Sequence, residues 1–147
     1  MPAAAPMPPG KSRLGRVLSS RAVVIGLGVD LVELDRVERA LQRWGGRLID
    51  KLMGPDEGGR LPTAAADRAR ALALAIAAKE AASKALGTGW SRGVRWRDVV
   101  VDPGPPASVH LEGGAAARAR KLGGARAVVA MLEVRGGLVL GEVWLTS

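Results

Sequence analysis

Apolar residues are spaced in two ways along this chain, and each spacing predicts a different kind of element. An almost continuous apolar run that contains two glycines predicts a buried first strand over Val23–Gly28. Elsewhere apolar residues recur every three or four positions, which is typical of helices. The helices predicted in this way are Asp35–Trp44, Arg47–Met53, Ala64–Leu86 and Gly114–Leu122.

Valine-rich segments in the second half of the chain predict four more strands. These are Arg97–Asp102, Ser108–Leu111, Ala127–Val134 and Leu138–Leu145. The last two strands flank Gly136-Gly137, a strong turn signal, and are therefore expected to form a hairpin. Loops are expected at Gly58–Thr63 and at the proline-rich Pro103–Pro106. The element order β-α-α-α-β-β-α-β-β favours an α+β domain, with an antiparallel sheet packed against helices.

The longest predicted helix carries charged residues that an alanine-rich helix does not need in order to form. Glu80, Ser83 and Lys84 share one face, because residues three and four positions apart are neighbours on a helix. Lys79 points about 100° away round the helix axis. The simplest interpretation is a Glu80–Lys84 surface pair that stabilises the helix by about 0.2–0.5 kcal/mol. The alternative is that these charges belong to a site.

A second acidic residue, Asp30, favours the site. It follows the first predicted strand, and a buried strand delivers such a residue to the strand end, where functional sites are often built. Mg²⁺ takes oxygen ligands, usually one or two carboxylates, together with waters and substrate phosphates. Lysine neutralises phosphate charge. Asp30 and Glu80 with neighbouring lysines therefore suit a hard cation and a phosphate.

Composition limits the other classes of site. The chain has 147 residues, no cysteine and one histidine, which excludes disulfides, thiolate catalysis and multi-histidine metal sites. Its aromatic residues are four tryptophans, so the core is expected to consist of Ala, Leu and Val. The net charge of +8 fits an acidic partner or an anionic substrate. A nucleic-acid binder is a weaker alternative, since no zinc-finger, RNA-binding or helix-turn-helix pattern accompanies the charge. No apolar run is long enough for a transmembrane helix.

The first 21 residues differ in composition from the rest of the chain. They are rich in Pro and Ala up to Gly10, and four basic residues without any acidic residue follow: Lys11, Arg13, Arg16 and Arg21. We expect residues 1–21 to be a flexible basic tail and residues 22–147 to form one domain. An organelle transit peptide and a misassigned start are the alternatives.

Two motifs resemble those of the bacterial holo-[acyl-carrier-protein] synthases, which are small single-domain 4′-phosphopantetheinyl transferases. Ile25–Glu33 matches the form I-G-x-G-x-D-x-x-E. Ile76–Gly89 follows F/W-A-A-K-E-A-x-x-K-A-x-G-T-G, with Ile76 in the aromatic position. The resemblance runs from about Ala22 to Val143. It implies the 4′-phosphopantetheinyl transferase fold, in which an antiparallel sheet packs against a long helix and shorter helices.

The resemblance implies an activity and a site. The expected reaction transfers 4′-phosphopantetheine from coenzyme A to a serine of an apo acyl carrier protein, in cytoplasmic fatty acid or polyketide biosynthesis, and releases adenosine 3′,5′-bisphosphate. By the family pattern Asp30 and Glu80 hold Mg²⁺, and Lys84 contacts a phosphoryl oxygen. Either Glu80 or a metal-bound water accepts the serine proton. Four residues are expected along the nucleotide: Lys79, Gly87, Thr88 and Gly89.

The resemblance also implies partners. An arginine on the first helix of family members docks the acidic carrier protein, and Arg36 matches it, with Arg39 and Arg43 as neighbours. A solvated helix face is the alternative interpretation of these arginines. We also expect a homotrimer with sites between subunits, and neither nucleic acid nor a membrane as a partner.

The chain departs from the family pattern in its penultimate strand. Where the family has S-x-S-H, this chain has Ala130–Glu133, so two hydroxyls and an imidazole are absent and a carboxylate is present. A negative charge beside phosphates weakens their binding unless a metal or an arginine intervenes. The alternative function is therefore a catalytically impaired relative that binds a carrier protein or acts as a scaffold.

Overall fold

The computed structural model describes residues 21–147, so the expected tail lies outside the described residues apart from Arg21. The strands are β1 (Val24–Glu33), β2 (Val99–Asp102), β3 (Ser108–Leu111), β4 (Arg126–Arg135) and β5 (Leu138–Thr146). The helices are α1 (Leu34–Trp44), α2 (Gly46–Leu52), α3 (Pro55–Gly59), α4 (Ala65–Ala85) and α5 (Gly113–Lys121). A short 3₁₀ turn, Trp96–Asp98, precedes β2.

The strands form two antiparallel sheets. One sheet has the order β1-β5-β4, and the other pairs β2 with β3. Helix α4 packs on both sheets and α1 packs on α4 and β1, which confirms the predicted α+β class. Within residues 21–147 no helix is both long and apolar enough to cross a membrane.

Helix α3 is an element that the sequence did not predict. Its first residue is Pro55, and Asp56 and Glu57 follow in the first turn, which are typical signals of a helix start. The glycines at 58 and 59 indicated a loop instead, because glycine disfavours the helical state. The helix matters because it carries Glu57 into the core.

Glycines in the three-stranded sheet allow α4 to lie directly against it. A Cβ atom at Gly28 would lie 1.8 Å from the Ala81 carbonyl oxygen, and one at Gly26 would lie 2.1 Å from that of Ala85. Gly141 on β5 leaves similar room for Ala77. Alanine on the helix and glycine on the strands therefore bring the two backbones into contact. The core around this contact consists mainly of Ala, Leu and Val, as the composition predicted.

Strand β1 is longer and less buried than predicted. It continues to Glu33 because β5 pairs with it as far as Leu138, so Asp30 lies inside the strand rather than at its end. One face of β1 packs on α4, whereas the opposite face leaves large apolar side chains in water. Leu27 is 52% exposed, Val29 48% and Leu31 55%. The predicted burial of β1 therefore holds for one face only.

Candidate active site

The candidate site lies along an exposed ridge of α4. From Ala75 to Ala85 the helix is buried except at Ile76, Glu80 and Lys84. These residues are four positions apart, so they form one ridge along the helix surface. The rest of the protein, including the glycines of the sheet, covers the other sides of α4. Over its last three turns, this ridge is therefore the part of the helix that is exposed to solvent.

Strand β1 brings Asp30 to this ridge. The Lys84 Nζ atom lies 2.8 Å from Asp30 Oδ1, and it also donates a hydrogen bond of 3.1 Å to the Val29 carbonyl. The side chain of Asp30 is 16% exposed and that of Lys84 51% exposed. The structure therefore joins two residues that are 54 positions apart in the sequence.

The spacing along β1 also places Asp30 near Glu80. Gly26 faces Ala85 and Gly28 faces Ala81, so two residues of the strand advance by the same length as four residues of the helix. Continuing by two strand residues brings Asp30 level with the turn of α4 that contains Glu80. Lys84 thus contacts Asp30 directly, and Glu80 lies one helical turn before Lys84 on the same ridge.

The carboxylate of Glu80 has no hydrogen-bond or ion-pair partner within residues 21–147. The Ser83 hydroxyl donates a 2.8 Å hydrogen bond to the main-chain carbonyl of Glu80 and not to its side chain. This carboxylate, half-buried beside Asp30, has oxygen lone pairs available for a cation. In the described part of the chain no cluster of three or more acidic, histidine or cysteine side chains suits a metal. Two carboxylates fit Mg²⁺, which completes its octahedral coordination with waters and phosphates.

The turn after α4 lies one helical turn beyond Lys84. Gly87 and Gly89 have φ values of 72° and 55°, which glycine adopts without the steric strain of a Cβ atom. The amides of Thr88 and Gly89 both donate to the Ser83 carbonyl, at 3.3 and 3.2 Å. The turn is therefore a fixed feature at the end of the helix, next to the lysine.

Arg118 is a residue that the sequence did not single out. Its Nε atom donates a 3.1 Å hydrogen bond to the Leu86 carbonyl, so α5 places a guanidinium beside the end of α4. A Cβ atom at Gly87 would lie 3.8 Å from a terminal nitrogen of Arg118. No motif in the sequence pointed to this neighbour, because it comes from a separate helix.

Lys79 occupies a different place from the one expected. Its side chain is fully buried, and its Nζ atom lies 2.8 Å from Glu57 Oε1. It also donates to the carbonyls of Trp96 and Val99, so its three protons are all used inside the protein. Burial lowers the pKa of Lys79, and the hydrogen bond and charge of Glu57 oppose that effect. These contacts correct the expectation that Lys79 lies along the nucleotide.

The three arginines of the predicted docking surface lie together on α1. Arg36, Arg39 and Arg43 are all exposed. Arg39 forms an exposed ion pair of 3.0 Å with Asp35, one helical turn earlier. The guanidinium of Arg43 lies 4.9 Å from the ring centroid of Trp44. The helix that carries this surface, α1, packs against α4.

Glu133, the charged residue of the departure in the penultimate strand, lies on the far face of the sheet. Glu133 is opposite Leu140, which is opposite Leu31, and these residues point away from α4. Arg135 forms a 3.0 Å ion pair with Glu133 and so balances its charge. Within one copy of the chain, Glu133 therefore does not lie beside Asp30 and Glu80.

Comparisons with known proteins agree in sequence and in structure. The family model of the 4′-phosphopantetheinyl transferase superfamily matches residues 26–131. A holo-[acyl-carrier-protein] synthase of Methylobacterium sp. (strain 4-46) is 47% identical over 98 residues, which are 65% of this chain and 72% of the relative. One of Sinorhizobium fredii is 43% identical over 102 residues, or 68% of this chain and 73% of the relative.

Solved structures show the same fold. The crystal structure of holo-[acyl-carrier-protein] synthase from Neisseria meningitidis has a TM-score of 0.74 and 25% identity, covering 84% of this chain and 98% of the other. The Helicobacter pylori synthase in complex with coenzyme A has a TM-score of 0.65 and 20% identity, covering 82% and 99%.

Proposed function

Since this chain belongs to the holo-[acyl-carrier-protein] synthase family of the 4′-phosphopantetheinyl transferase superfamily, we propose that it transfers 4′-phosphopantetheine from coenzyme A to a serine of an acyl carrier protein. In this proposal Mg²⁺ is the cofactor and adenosine 3′,5′-bisphosphate is the second product. The observation that carries the proposal is the ion pair of Lys84 with Asp30 of β1, next to Glu80 on the α4 ridge, whose carboxylate has no partner in residues 21–147. These are the residue types that a metal and a pyrophosphate require.

Asp30 and Glu80 are the residues that hold the metal in this proposal. When bound, Mg²⁺ neutralises the charge of the pyrophosphate and of the leaving phosphate. Glu80 has a further role as the acceptor of the serine proton, because its carboxylate has no competing partner in residues 21–147. Asp30 is less exposed and is held by Lys84, so it acts as a fixed ligand rather than as a base.

Lys84 supplies the positive charge on the other side of the reacting phosphorus. Its ammonium is half exposed and on the same ridge as Glu80, so it can reach a phosphoryl oxygen while its stem stays on the helix. Displacement at phosphorus depends mainly on positioning and charge neutralisation. The ion pair with Asp30 keeps this ammonium oriented towards the site before the substrate arrives.

The nucleotide end of coenzyme A is assigned to the turn of Gly87, Thr88 and Gly89. This turn follows Lys84 directly, and its glycines leave room for a ligand close to the backbone. The guanidinium of Arg118 stands beside it and offsets the negative end of the α4 dipole. An anionic ligand therefore meets a positive group at each end of the segment from Lys84 to Gly89.

A homotrimer with sites between subunits is part of the proposal. The face of the sheet opposite α4 exposes a row of large apolar side chains on β1, and such a patch on a protein surface marks an interaction site. A second copy of the chain is its proposed occupant. The edge of this face is also the edge that carries Asp30, so a neighbouring subunit would border the site.

Arg36, Arg39 and Arg43 are the proposed docking residues for the acidic carrier protein. They form an exposed positive row on α1, and surface charges of this kind steer an oppositely charged partner. Within the part of the chain that the structure describes, Arg39 alone among the three has an acidic partner, and that ion pair is exposed, so the positive charge of the row stays accessible.

A donor assay tests the proposal. The full chain is incubated with coenzyme A and Mg²⁺, and adenosine 3′,5′-bisphosphate is measured with and without apo acyl carrier protein. Release that needs both the carrier protein and Mg²⁺ is the expected result. Binding of the carrier protein without any release would support the impaired relative, the alternative suggested by Ala130–Glu133.

A further inference from the structure

A cleft lies between the end of α2 and the segment that leads into β2. Its volume is about 580 Å³, which falls in the range of small-molecule sites, about 300–1,000 Å³. The residues that line it are Lys51, Trp90, Val94, Arg95, Trp96 and Arg97. Asp30, Glu80 and Lys84 are not among them, so the cleft is a concave surface that the proposed transfer reaction does not use.

Two tryptophans form the apolar part of the cleft. The ring centroids of Trp90 and Trp96 are 4.0 Å apart and their planes are inclined by 21°, so the rings are stacked. Both side chains are only half-buried, which leaves part of the pair accessible in the cleft. The Nε1 atom of Trp90 is buried and has no hydrogen-bond acceptor within residues 21–147. Such a donor indicates an acceptor that one copy of the chain does not supply.

The polar part of the cleft is positively charged. Lys51, Arg95 and Arg97 contribute three cations, and no acidic side chain of the described residues lines the cleft. Lys51 is exposed in the last turn of α2, and its ammonium has no hydrogen bond or ion pair in the part of the chain that the structure describes. Cations that line a concave surface concentrate anions there.

The two arginines are fixed before any ligand binds. Arg97 donates to the Asp50 carbonyl through Nε, at 2.9 Å, and through one terminal nitrogen, which ties the turn before β2 to α2. Arg95 places a terminal nitrogen 3.3 Å from Asp98 Oδ1, and the buried Asp98 also accepts a 3.1 Å hydrogen bond from the Arg95 amide. Each guanidinium keeps its other terminal nitrogen without a hydrogen bond to residues 21–147. A site organised in this way loses less entropy when a ligand binds.

We propose that this cleft binds a small organic anion with a planar apolar body. The body lies against Trp90 and Trp96, and the anionic group pairs with the Lys51 ammonium and the free guanidinium nitrogens. A phosphate and a carboxylate both accept charge-assisted hydrogen bonds from such groups. Trp90 directly follows Gly89, so the bound molecule adjoins the turn assigned to the nucleotide but is held by residues of its own.

The test follows the indole N–H signals of the tryptophans in ¹⁵N NMR spectra of the full chain. Phenyl phosphate and benzoate are the probes, whereas inorganic phosphate and phenol carry only the charge or only the ring. The signals of Trp44 and Trp144, which do not line the cleft, are the internal references. Titrations are made at constant ionic strength, and they need no transfer, so their result does not depend on the proposed function.

Lys51→Ala is compared with Lys121→Ala, because both residues are exposed lysines in the last turn of a helix. We expect saturable shifts of the Trp90 and Trp96 signals, with a Kd for one or both probes at least about fivefold lower than for inorganic phosphate or phenol. Lys51→Ala raises this Kd by about fivefold or more, and Lys121→Ala leaves it unchanged. Tighter binding of phenyl phosphate identifies a phosphate ester, and tighter binding of benzoate identifies a carboxylate.

Two results would overturn the proposal. One is the absence of saturable shifts at Trp90 and Trp96, or an equal Kd in the wild type and in folded Lys51→Ala. The other is displacement of the probe by coenzyme A together with a Kd that rises in Lys84→Ala and not in Lys51→Ala, because the probe then occupies the transfer site.

Discussion

At the scale of single residues, the account depends on the free carboxylate of Glu80. Lys84 engages Asp30, whereas Glu80 has no partner in residues 21–147 and is the proposed metal ligand and acceptor of the serine proton. This asymmetry between two acidic residues separates a site from an ordinary pair on a helix. The Glu80–Lys84 surface pair considered first is not formed, because the lysine contacts the strand instead.

Glu80→Gln is expected to lower the transfer rate by about a hundredfold or more, because an amide cannot accept the proton and binds Mg²⁺ poorly. The fold is expected to survive, since the Glu80 side chain forms no contact that the amide would break. Turnover and thermal unfolding measure the two effects. Wild-type turnover in this variant would remove Glu80 from the site.

The sequence predicted some residues of the site and not others. The motifs named Asp30, Glu80 and Lys84, and the structure pairs Lys84 with Asp30 and places Glu80 one helical turn before Lys84. Lys79 could not be placed, because the charged residues of α4 are not confined to one side of the helix and its alanines do not reveal which side is buried. Its partner Glu57 lies on α3, a helix that was not predicted because glycines at 58 and 59 indicated a loop. Arg118 lies on α5 and contacts the end of α4 only in the folded protein, so no local sequence signal indicated it.

At the scale of elements, the buried pair of Lys79 and Glu57 ties three segments together. Glu57 Oε1 accepts from Lys79, and Glu57 Oε2 accepts a 2.8 Å hydrogen bond from the Val101 amide. The pair thereby links α3 and α4 to β2. It positions α4, and through α4 the exposed ridge of the site, without touching the substrate.

Lys79→Met is expected to reduce the free energy of unfolding by about 3–5 kcal/mol, because it leaves the Glu57 carboxylate buried without its partner. Removing both charges in a Lys79→Met, Glu57→Gln double variant should recover part of the loss. Urea unfolding measures both values. A loss below about 1 kcal/mol in the single variant would show that the pair is not buried in solution.

The lowered pKa of Lys79 also predicts a pH dependence. The folded protein releases this proton at a lower pH than the unfolded chain, whose lysine titrates at 10.5. Between the two pKa values the unfolded state binds more protons, so stability from this group rises with pH. The stability of the wild type relative to Lys79→Met is therefore expected to increase as pH approaches 10.5. A constant or falling difference in urea unfolding would contradict the lowered pKa.

The contact of β1 with α4 gives a second prediction at this scale. Gly28→Ala places a Cβ atom where the Ala81 carbonyl oxygen lies, so strand and helix must separate. We expect a loss of about 1–3 kcal/mol or more in stability, and a lower transfer rate because Asp30 moves away from Glu80. Gly137→Ala is the control, since a Cβ atom there meets nothing within 4 Å. Equal effects of the two substitutions would argue against the close packing.

The course of β1 shows why its length and exposure were hard to predict. Glycines occupy positions 26 and 28, where apolar side chains would normally identify the inner face of the strand. The remaining apolar residues therefore predicted a strand that is buried on both faces. The true alternation has glycine and Asp30 towards α4 and Leu27, Val29 and Leu31 towards the outside. Tertiary contact with an alanine-rich helix, rather than local propensity, determines this arrangement.

At the scale of the whole molecule, the exposed apolar face of the sheet is the largest feature that one copy of the chain leaves unexplained. Leu27, Val29 and Leu31 are each about half exposed, in a row on an edge strand. A surface of this kind on a folded domain points to association. In the proposed trimer it is covered, and the sites lie at its border.

Leu31→Lys is expected to convert the trimer into monomers, because a charged side chain in the middle of a buried apolar interface is not solvated. Transfer activity should fall with it, although Asp30, Glu80 and Lys84 are untouched. Light scattering coupled to size-exclusion chromatography measures the mass, with Leu122→Lys, at an exposed apolar residue after α5, as the control. A wild type that is already monomeric and active would contradict the shared sites.

The central claim is that this site transfers phosphopantetheine to a carrier protein, and the intact mass of the carrier protein tests it most directly. Apo acyl carrier protein is incubated with the full chain and coenzyme A, with Mg²⁺ or with a chelator. The account predicts a gain of one phosphopantetheine that needs the metal. No gain with several carrier proteins, from a folded chain in the presence of Mg²⁺, would contradict it.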